Sequence, residues 1–182
     1  MLKVSENPPI LWPQEESIRD FEGQWWVVHT RSRNEKALAQ DLRSKDISYF
    51  LPMNWKVSRK SRRTTRSLLP LFNGYLFFCG KENDRVELLK TNRVAHLIEV
   101  DNQQKLLDEL VQVNQALQSG APLTPHNYIK AGQRCRVIAG PLMGLEGIVV
   151  RSNNALRLVL QIDILGQAAS VEIDVDMIEV LD

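Results

Sequence analysis

The C-terminal third of the chain reads Ala131-Gly-Gln-Arg-Cys-Arg-Val-Ile-Ala-Gly-Pro-Leu-Met-Gly-Leu-Glu-Gly-Ile-Val-Val-Arg151, then Leu156-Arg-Leu-Val-Leu-Gln-Ile-Asp-Ile-Leu-Gly166 and Ala169-Ser-Val-Glu-Ile-Asp-Val-Asp-Met-Ile-Glu-Val-Leu181. Short runs of β-branched residues, cut by Gly, Pro and Asn, are typical of a small closed sheet. Gly140-Pro141, Gly144 and Gly147 predict a tight connection between two strands, because glycine allows positive φ and close approach of neighbouring backbone. The stretch therefore predicts a small all-β domain over residues 129–182.

The composition is that of an ordinary soluble protein. With 182 residues, 43% of them hydrophobic and 25% charged, the chain has room for one medium domain or two small ones. The formal net charge of +1 conceals an excess of cations in the middle segment, where we expect an anionic partner. The sequence shows no signal-peptide pattern and no apolar run long enough to span a membrane. We therefore expect a soluble, cytoplasmic, monomeric protein.

The N-terminal two thirds alternate strand and helix patterns. Residues 1–23 are rich in proline and lack periodicity, which predicts a loosely ordered extension with a short helical turn around Glu15–Phe21. From Trp25 the patterns follow the order β-α-β-β-β-α-β-α, with Asn34 as N-cap of the first helix and Asn83 or Asp84 as N-cap of the second. This order favours an α+β domain over residues 24–118, with helices against a mainly antiparallel sheet. Residues 119–128 have the composition of a linker.

One segment is strongly basic. Lys56–Arg66 carries six cations and no acid, so mutual repulsion predicts an exposed hairpin tip or loop. A solvated loop that aids solubility is one interpretation, and contact with the phosphates of DNA or RNA, which would be salt-dependent, is the other. A second basic cluster lies near the start of the first helix, where cations oppose the helix dipole. The candidate nucleic-acid-binding residues are Arg31, Arg33, Lys36, Arg59, Lys60, Arg62, Arg63 and Arg66.

Catalytic and metal-binding patterns are missing from the sequence. The residues that most often bind zinc do not fall in ligand spacing; they are His29, His96, His126, Cys79 and Cys135. The two cysteines fit small buried hydrophobes in a reducing compartment. The Gly140–Gly147 region lacks the Lys-Ser/Thr pair of a phosphate-binding P-loop. We expect no enzymatic activity, no cofactor and no metal, and a metal-dependent nuclease assay would test this.

The combination of motifs resembles the NusG family of transcription factors. It consists of Trp25-Trp-Val-Val28, Pro70-Leu-Phe-Asn-Gly-Tyr-Leu-Phe-Phe78, Arg93-Val-Ala-His-Leu-Ile98 and the glycine-punctuated C-terminal stretch, and it extends from Gln24 to Leu181. The resemblance implies an NGN-type antiparallel sheet with flanking helices, followed by a small SH3-like β-barrel of the KOW type. It also implies a non-enzymatic protein that binds RNA polymerase and acts on transcription elongation or antitermination.

The resemblance assigns a candidate polymerase-binding surface. The matching positions are His29, Phe72, Tyr75, Phe77 and Leu97, which would contact the clamp of the largest polymerase subunit. In a strand, Tyr75 and Phe77 share one face while Leu76 and Phe78 share the other. Aromatic side chains are frequent interface anchors, but the four side chains of residues 75–78 could also all fill a core.

The resemblance also bears on partners of the C-terminal domain. Where family members carry Ile-Phe-Gly in a loop that contacts Rho or ribosomal protein S10, this chain has Ile164-Leu165-Gly166. The lost aromatic residue and the Asn73-Gly74 pair favour a specialised NusG/RfaH-like paralogue over a housekeeping factor. One family member stores this domain as an α-helical hairpin, but Pro141 and the glycines would interrupt such a helix, which predicts a permanent β-barrel. The alternative function is an RNA-binding or ribosome-associated KOW protein that does not contact polymerase.

Overall fold

The computed structural model describes residues 6–15, 17–60, 63–128 and 132–181. It divides into two compact units, Met1–Gln103 and Gln104–Asp182. The strands are β1 Leu11–Trp12, β2 Gln24–Thr30, β3 Ser48–Phe50, β4 Met53–Lys60, β5 Arg63–Pro70, β6 Tyr75–Gly80, β7 Val94–Ile98, β8 Thr124–His126, β9 Gln133–Val137, β10 Glu146–Ser152, β11 Ala155–Ile162, β12 Gln167–Ile173 and β13 Ile178–Val180. The α-helices are α1 Glu35–Ser44, α2 Glu82–Lys90 and α3 Gln103–Gln118. Because the division falls at the start of α3, this helix is described with the second unit. The linker at 119–128 stays a prediction, and β8 lies within that range and pairs with β12.

The first unit is built on a five-stranded antiparallel sheet in the order β1-β3-β6-β2-β7. Strand alternation places Val28, Leu76 and Phe78 on the face that packs with α1, where Leu38 and Leu42 are fully buried. The opposite face is also buried at its centre, at Val27 and Phe77 among others. The α+β class predicted from the sequence is confirmed.

The helix starts differ in part from the prediction. Asn34 occupies the N-cap position of α1, but its side chain makes no capping bond; its Oδ1 accepts from Arg93 instead, at 2.9 Å. The predicted N-cap of α2 is wrong, because the helix begins at Glu82 with Lys81 as N-cap. Asp84 lies inside the first turn, and its carboxylate accepts from the Lys81 backbone N–H at 2.7 Å. An acid in the first turn gives the same sequence signal as an acidic N-cap.

The N-terminal segment is part of the sheet. Leu11 pairs with Phe50 and Trp12 with Tyr49, so β1 forms the outer strand. Leu11, Ile18 and Phe21 are buried, the last stacked on Trp25. The expectation of a loosely ordered extension is therefore wrong for the described residues of this segment. The expected helical turn is present as a 3₁₀ turn at Ile18–Asp20.

A two-stranded ribbon, β4–β5, forms a sheet of its own. Its register runs from Met53 opposite Pro70 to Lys60 opposite Arg63. The predicted basic hairpin corresponds to the outer half of this ribbon. Leu51 and Pro52 separate β3 from β4.

The second unit carries a six-stranded antiparallel sheet in the order β13-β9-β10-β11-β12-β8. A Cβ at Gly147 would lie 2.5 Å from the Val159 carbonyl oxygen, so β10 can approach β11 only with glycine there. The described residues in 132–181 thus form strands where the sequence predicted them.

Cys79 and Cys135 are buried and form no disulfide, as expected. Within the part of the chain that the structure describes, no helix is long and apolar enough to span a membrane.

Candidate functional site

A surface at the ends of β2, β6 and β7 brings two of the predicted residues together. His29 lies opposite Tyr75 on one side and opposite His96 on the other. The His29 and Tyr75 rings stack, with centroids 4.9 Å apart and an angle of 22° between their planes. His29 and His96 are exposed and Tyr75 is half-buried. We call His29, Tyr75 and His96 the aromatic patch. Sequence reasoning missed His96 in this role because only the strand register places it beside His29.

The other three predicted residues do not join this patch. Phe72 and Phe77 are 1% and 0% exposed, with their rings edge to face at 6.4 Å. A surface position for these two residues is therefore wrong, because both belong to the buried aromatic layer beneath the patch. Leu97 pairs with Val28 and packs, half-buried, against the core on the helix-covered face of the sheet. It thus points away from His29 and Tyr75.

The turn that presents Tyr75 is held by a buried carboxylate. Gly74 has φ +82°, a conformation that favours glycine, and its N–H donates to Glu35 Oε1 at 2.7 Å. The Gly74 carbonyl accepts from the Thr30 backbone N–H at 2.8 Å. Glu35 is buried although it lies in the first turn of α1, where an acid is usually attributed to the helix dipole. Its role could have been suspected only from the adjacent Asn73-Gly74 turn.

The basic cluster after β2 divides into two kinds of residue. Arg31 and Arg33 are exposed in the connection to α1. Lys36 is half-buried, and its Nζ donates to Asn7 Oδ1 at 2.6 Å and to the Leu68 carbonyl at 2.5 Å. Burial lowers the pKa of Lys36. Lys36 therefore connects α1 to the N-terminal segment and to β5, and its ammonium is not directed at solvent.

The cations of the ribbon are spread along both strands. Lys56, Arg59 and Arg66 are exposed. Lys60 and Arg63 are paired positions at the end of the ribbon, and the predicted residue Arg62 lies outside the described residues. The ribbon thus carries exposed cations on a two-stranded sheet that is separate from the five-stranded sheet.

The candidate partner-binding residues of the second unit lie on the 3₁₀ turn Asp163–Leu165. Ile164 is 36% exposed and Leu165 is half-buried. Asp163 anchors the turn: its carboxylate accepts from Tyr128 Oη at 3.0 Å and forms an ion pair with Lys105, and its N–H donates to Glu109 Oε2 at 3.3 Å. Burial, together with the nearby Asp163 charge, raises the pKa of Glu109 to about 7. These anchors were missed because they are remote in sequence.

A metal site would need three or more His, Cys, Asp or Glu side chains close enough together to hold one ion. No such group is found among residues 6–15, 17–60, 63–128 and 132–181, which the structure describes.

Comparison with known proteins places the fold among transcription factors. The family model described as "Transcription termination factor nusG" matches residues 23–115, just over half of the chain. Among solved structures, Thermotoga maritima NusG ("Domain interaction in Thermotoga maritima NusG") aligns over 88% of this chain and 98% of its own, with 16% identity and a TM-score of 0.49. The MjSpt4:Spt5 complex aligns over 87% of this chain and 97% of the matched chain, with 17% identity and a TM-score of 0.28. No curated protein matches the chain.

Proposed function

The chain belongs to the NusG family of transcription factors, and on that premise we propose that it binds RNA polymerase through the aromatic patch. The observation that carries the proposal is the stack of exposed His29 on half-buried Tyr75, beside a turn held by Glu35. Exposed aromatic rings are good interface anchors, and a turn that is already ordered loses little conformational entropy on binding. In this proposal Tyr75 and His29 make contact, whereas Phe72 and Phe77 support the patch from below.

A second part of the proposal concerns nucleic acid. Arg31, Arg33, Arg59 and Arg66 are exposed cations, and we assign them to phosphate contacts. Lys36 is left out, because its ammonium is hydrogen-bonded within the first unit. Lys60, Arg62 and Arg63 stay in the proposed set from sequence alone.

Salt dependence tests the phosphate contacts. Replacing Arg31, Arg33 and Arg59 together by glutamine should lower the slope of log affinity against log salt by about 0.7–0.9 for each contact removed. The measurement is an anisotropy titration of a labelled oligonucleotide at several salt concentrations. Lys90→Gln is the matched control, because Lys90 is an exposed lysine on α2 that pairs with Glu87. An unchanged slope and affinity in the triple variant would leave the basic residues a role in solubility only.

The second unit is proposed to be a KOW domain that recruits a further protein partner. Ile164 offers an exposed apolar side chain on a turn anchored by Asp163. Family resemblance suggests ribosomal protein S10 or Rho as the partner. Leu165 in place of an aromatic residue supports a specialised, antiterminating paralogue, in which these contacts are altered.

Co-purification tests polymerase binding against the alternative function. Affinity purification of the tagged full chain from its own cells should retain RNA polymerase subunits at a level that survives nuclease treatment of the extract. Retention that depends on nucleic acid would contradict direct binding. Recovery of ribosomal subunits without polymerase would instead support a ribosome-associated KOW protein.

A further inference from the structure

We propose that the β4–β5 ribbon binds single-stranded nucleic acid by stacking an unpaired base on Trp55. The inference rests on the nucleic-acid contact proposed above and names its ligand class and its stacking residue. It starts from an aromatic side chain that the fold leaves exposed in the middle of a basic ribbon.

One face of the ribbon combines apolar and cationic side chains. Alternation places Trp55, Val57 and Arg59 on the same face of β4. Arg66 lies opposite Val57, and hence diagonal to Trp55. Its guanidinium carbon is 4.9 Å from the centroid of the Trp55 ring. The guanidinium thus lies over one face of the indole, and both groups are of kinds that stack on nucleic-acid bases.

Exposure increases along this face with distance from the core. Met53, at the base of β4, is a core residue, and Leu68, opposite Trp55, packs against the core. Beyond them Trp55 is 43% exposed and Val57 is 51% exposed. These two side chains therefore contribute little to the packing of the five-stranded sheet. Their position is that of a contact surface.

The charge of the ribbon indicates the chemical class of its partner. Residues 53–70 carry six cations and no acid, which favours a polyanion. A duplex keeps its bases stacked inside, whereas a single strand presents their flat faces to an aromatic side chain. Arg59 and Arg66 lie on the face that carries Trp55, where they can donate to phosphate oxygens on either side of a stacked base. The combination of a central aromatic ring with flanking cations thus fits a single strand better than a duplex or an acidic protein.

The test compares a fluorescein-labelled single-stranded DNA of mixed sequence with the same DNA as a duplex, using the full chain. The wild type should bind the single strand more tightly. Trp55→Ala should weaken single-strand binding by about 5- to 100-fold while leaving the salt slope unchanged, because stacking releases no counterions. Trp55→Phe should retain most of the affinity. Leu89→Ala is the matched control, since it removes an apolar side chain that is also 43% exposed but has no π-system and lies on α2, outside the ribbon, so it should change binding little.

The outcomes separate this inference from the proposed phosphate contacts. If Trp55→Ala binds as tightly as the wild type while Arg59→Gln lowers the salt slope, stacking is refuted and the phosphate contacts stand. If the wild type binds neither DNA, both fail. If Trp55→Ala loses polymerase in co-purification but keeps its affinity for DNA, the ribbon binds protein and the inference is overturned. Circular dichroism and thermal melting should be unchanged in Trp55→Ala. Arg66→Gln, which removes the stacked guanidinium, is a second variant that should also weaken single-strand binding.

Discussion

Replacing Phe77 by alanine should lower the free energy of unfolding of the first unit by about 3–5 kcal/mol. Phe77 is fully buried, in a stacked pair with Phe50 at 6.3 Å and in edge-to-face contact with Phe72. Removing the ring leaves a cavity that two neighbouring aromatic side chains line, and such cavities collapse only in part. Urea denaturation of the full chain, followed by intrinsic tryptophan fluorescence, to which buried Trp25 and Trp26 contribute, measures the loss.

Tyr75→Ala is the comparison for this experiment. Tyr75 is the neighbouring aromatic residue on the same face of β6, but it is half-buried, so its replacement should cost no more than about 1.5 kcal/mol. If Phe77→Ala lowered the free energy of unfolding only slightly and also weakened polymerase binding, Phe77 would be a surface contact residue. That result would contradict the buried aromatic layer.

The sequence was most informative where apolar periodicity is strong. Leu38 and Leu42 of α1 lie at helical spacing, and Gly140 and Gly144 separate β9 from β10, so these elements were predictable, although Gly147 lies within β10 and not in the predicted connection. The N-terminal segment was not, because proline removes periodicity and β1 finds its partner, Phe50, 39 residues after Leu11. Non-local strand pairing leaves no local signal in the segment that is paired.

Alternation on β6 was read correctly, but it does not decide exposure. Leu76 and Phe78 share one face and Tyr75 and Phe77 the other, as predicted, yet both faces are covered at the centre of the sheet. Only the end of the strand, at Tyr75, reaches the surface. Burial on both faces removes the contrast between polar and apolar residues from which an exposed face is identified.

Supporting contacts of the candidate surfaces were the least predictable part. Glu35 holds the Gly74 turn, and Lys105, Glu109 and Tyr128 hold Asp163. Each contact joins residues at least 35 positions apart. Residue type alone placed Lys36 in a basic cluster and gave no role to Glu35, whereas the structure directs both side chains into the fold.

Replacing Tyr75 by alanine should weaken binding of purified RNA polymerase by about 10-fold or more, on the order of 1.4 kcal/mol. The side chain covers the outer end of β6 and holds the His29 ring by stacking, so its removal deletes one anchor and loosens the other. The backbone of the turn should stay in place, because the Glu35–Gly74 hydrogen bond uses main-chain N–H and not the Tyr75 side chain.

The most direct test of polymerase binding is the affinity of purified RNA polymerase for three forms of the full chain, the wild type, Tyr75→Ala and Tyr128→Ala, measured by biolayer interferometry. Tyr128 is a matched control, an exposed tyrosine on the second unit outside the aromatic patch. We predict equal affinity for the wild type and Tyr128→Ala and a loss of about 10-fold or more for Tyr75→Ala. Equal binding of all three forms, or no binding by the wild type, would contradict a polymerase-binding role for the aromatic patch.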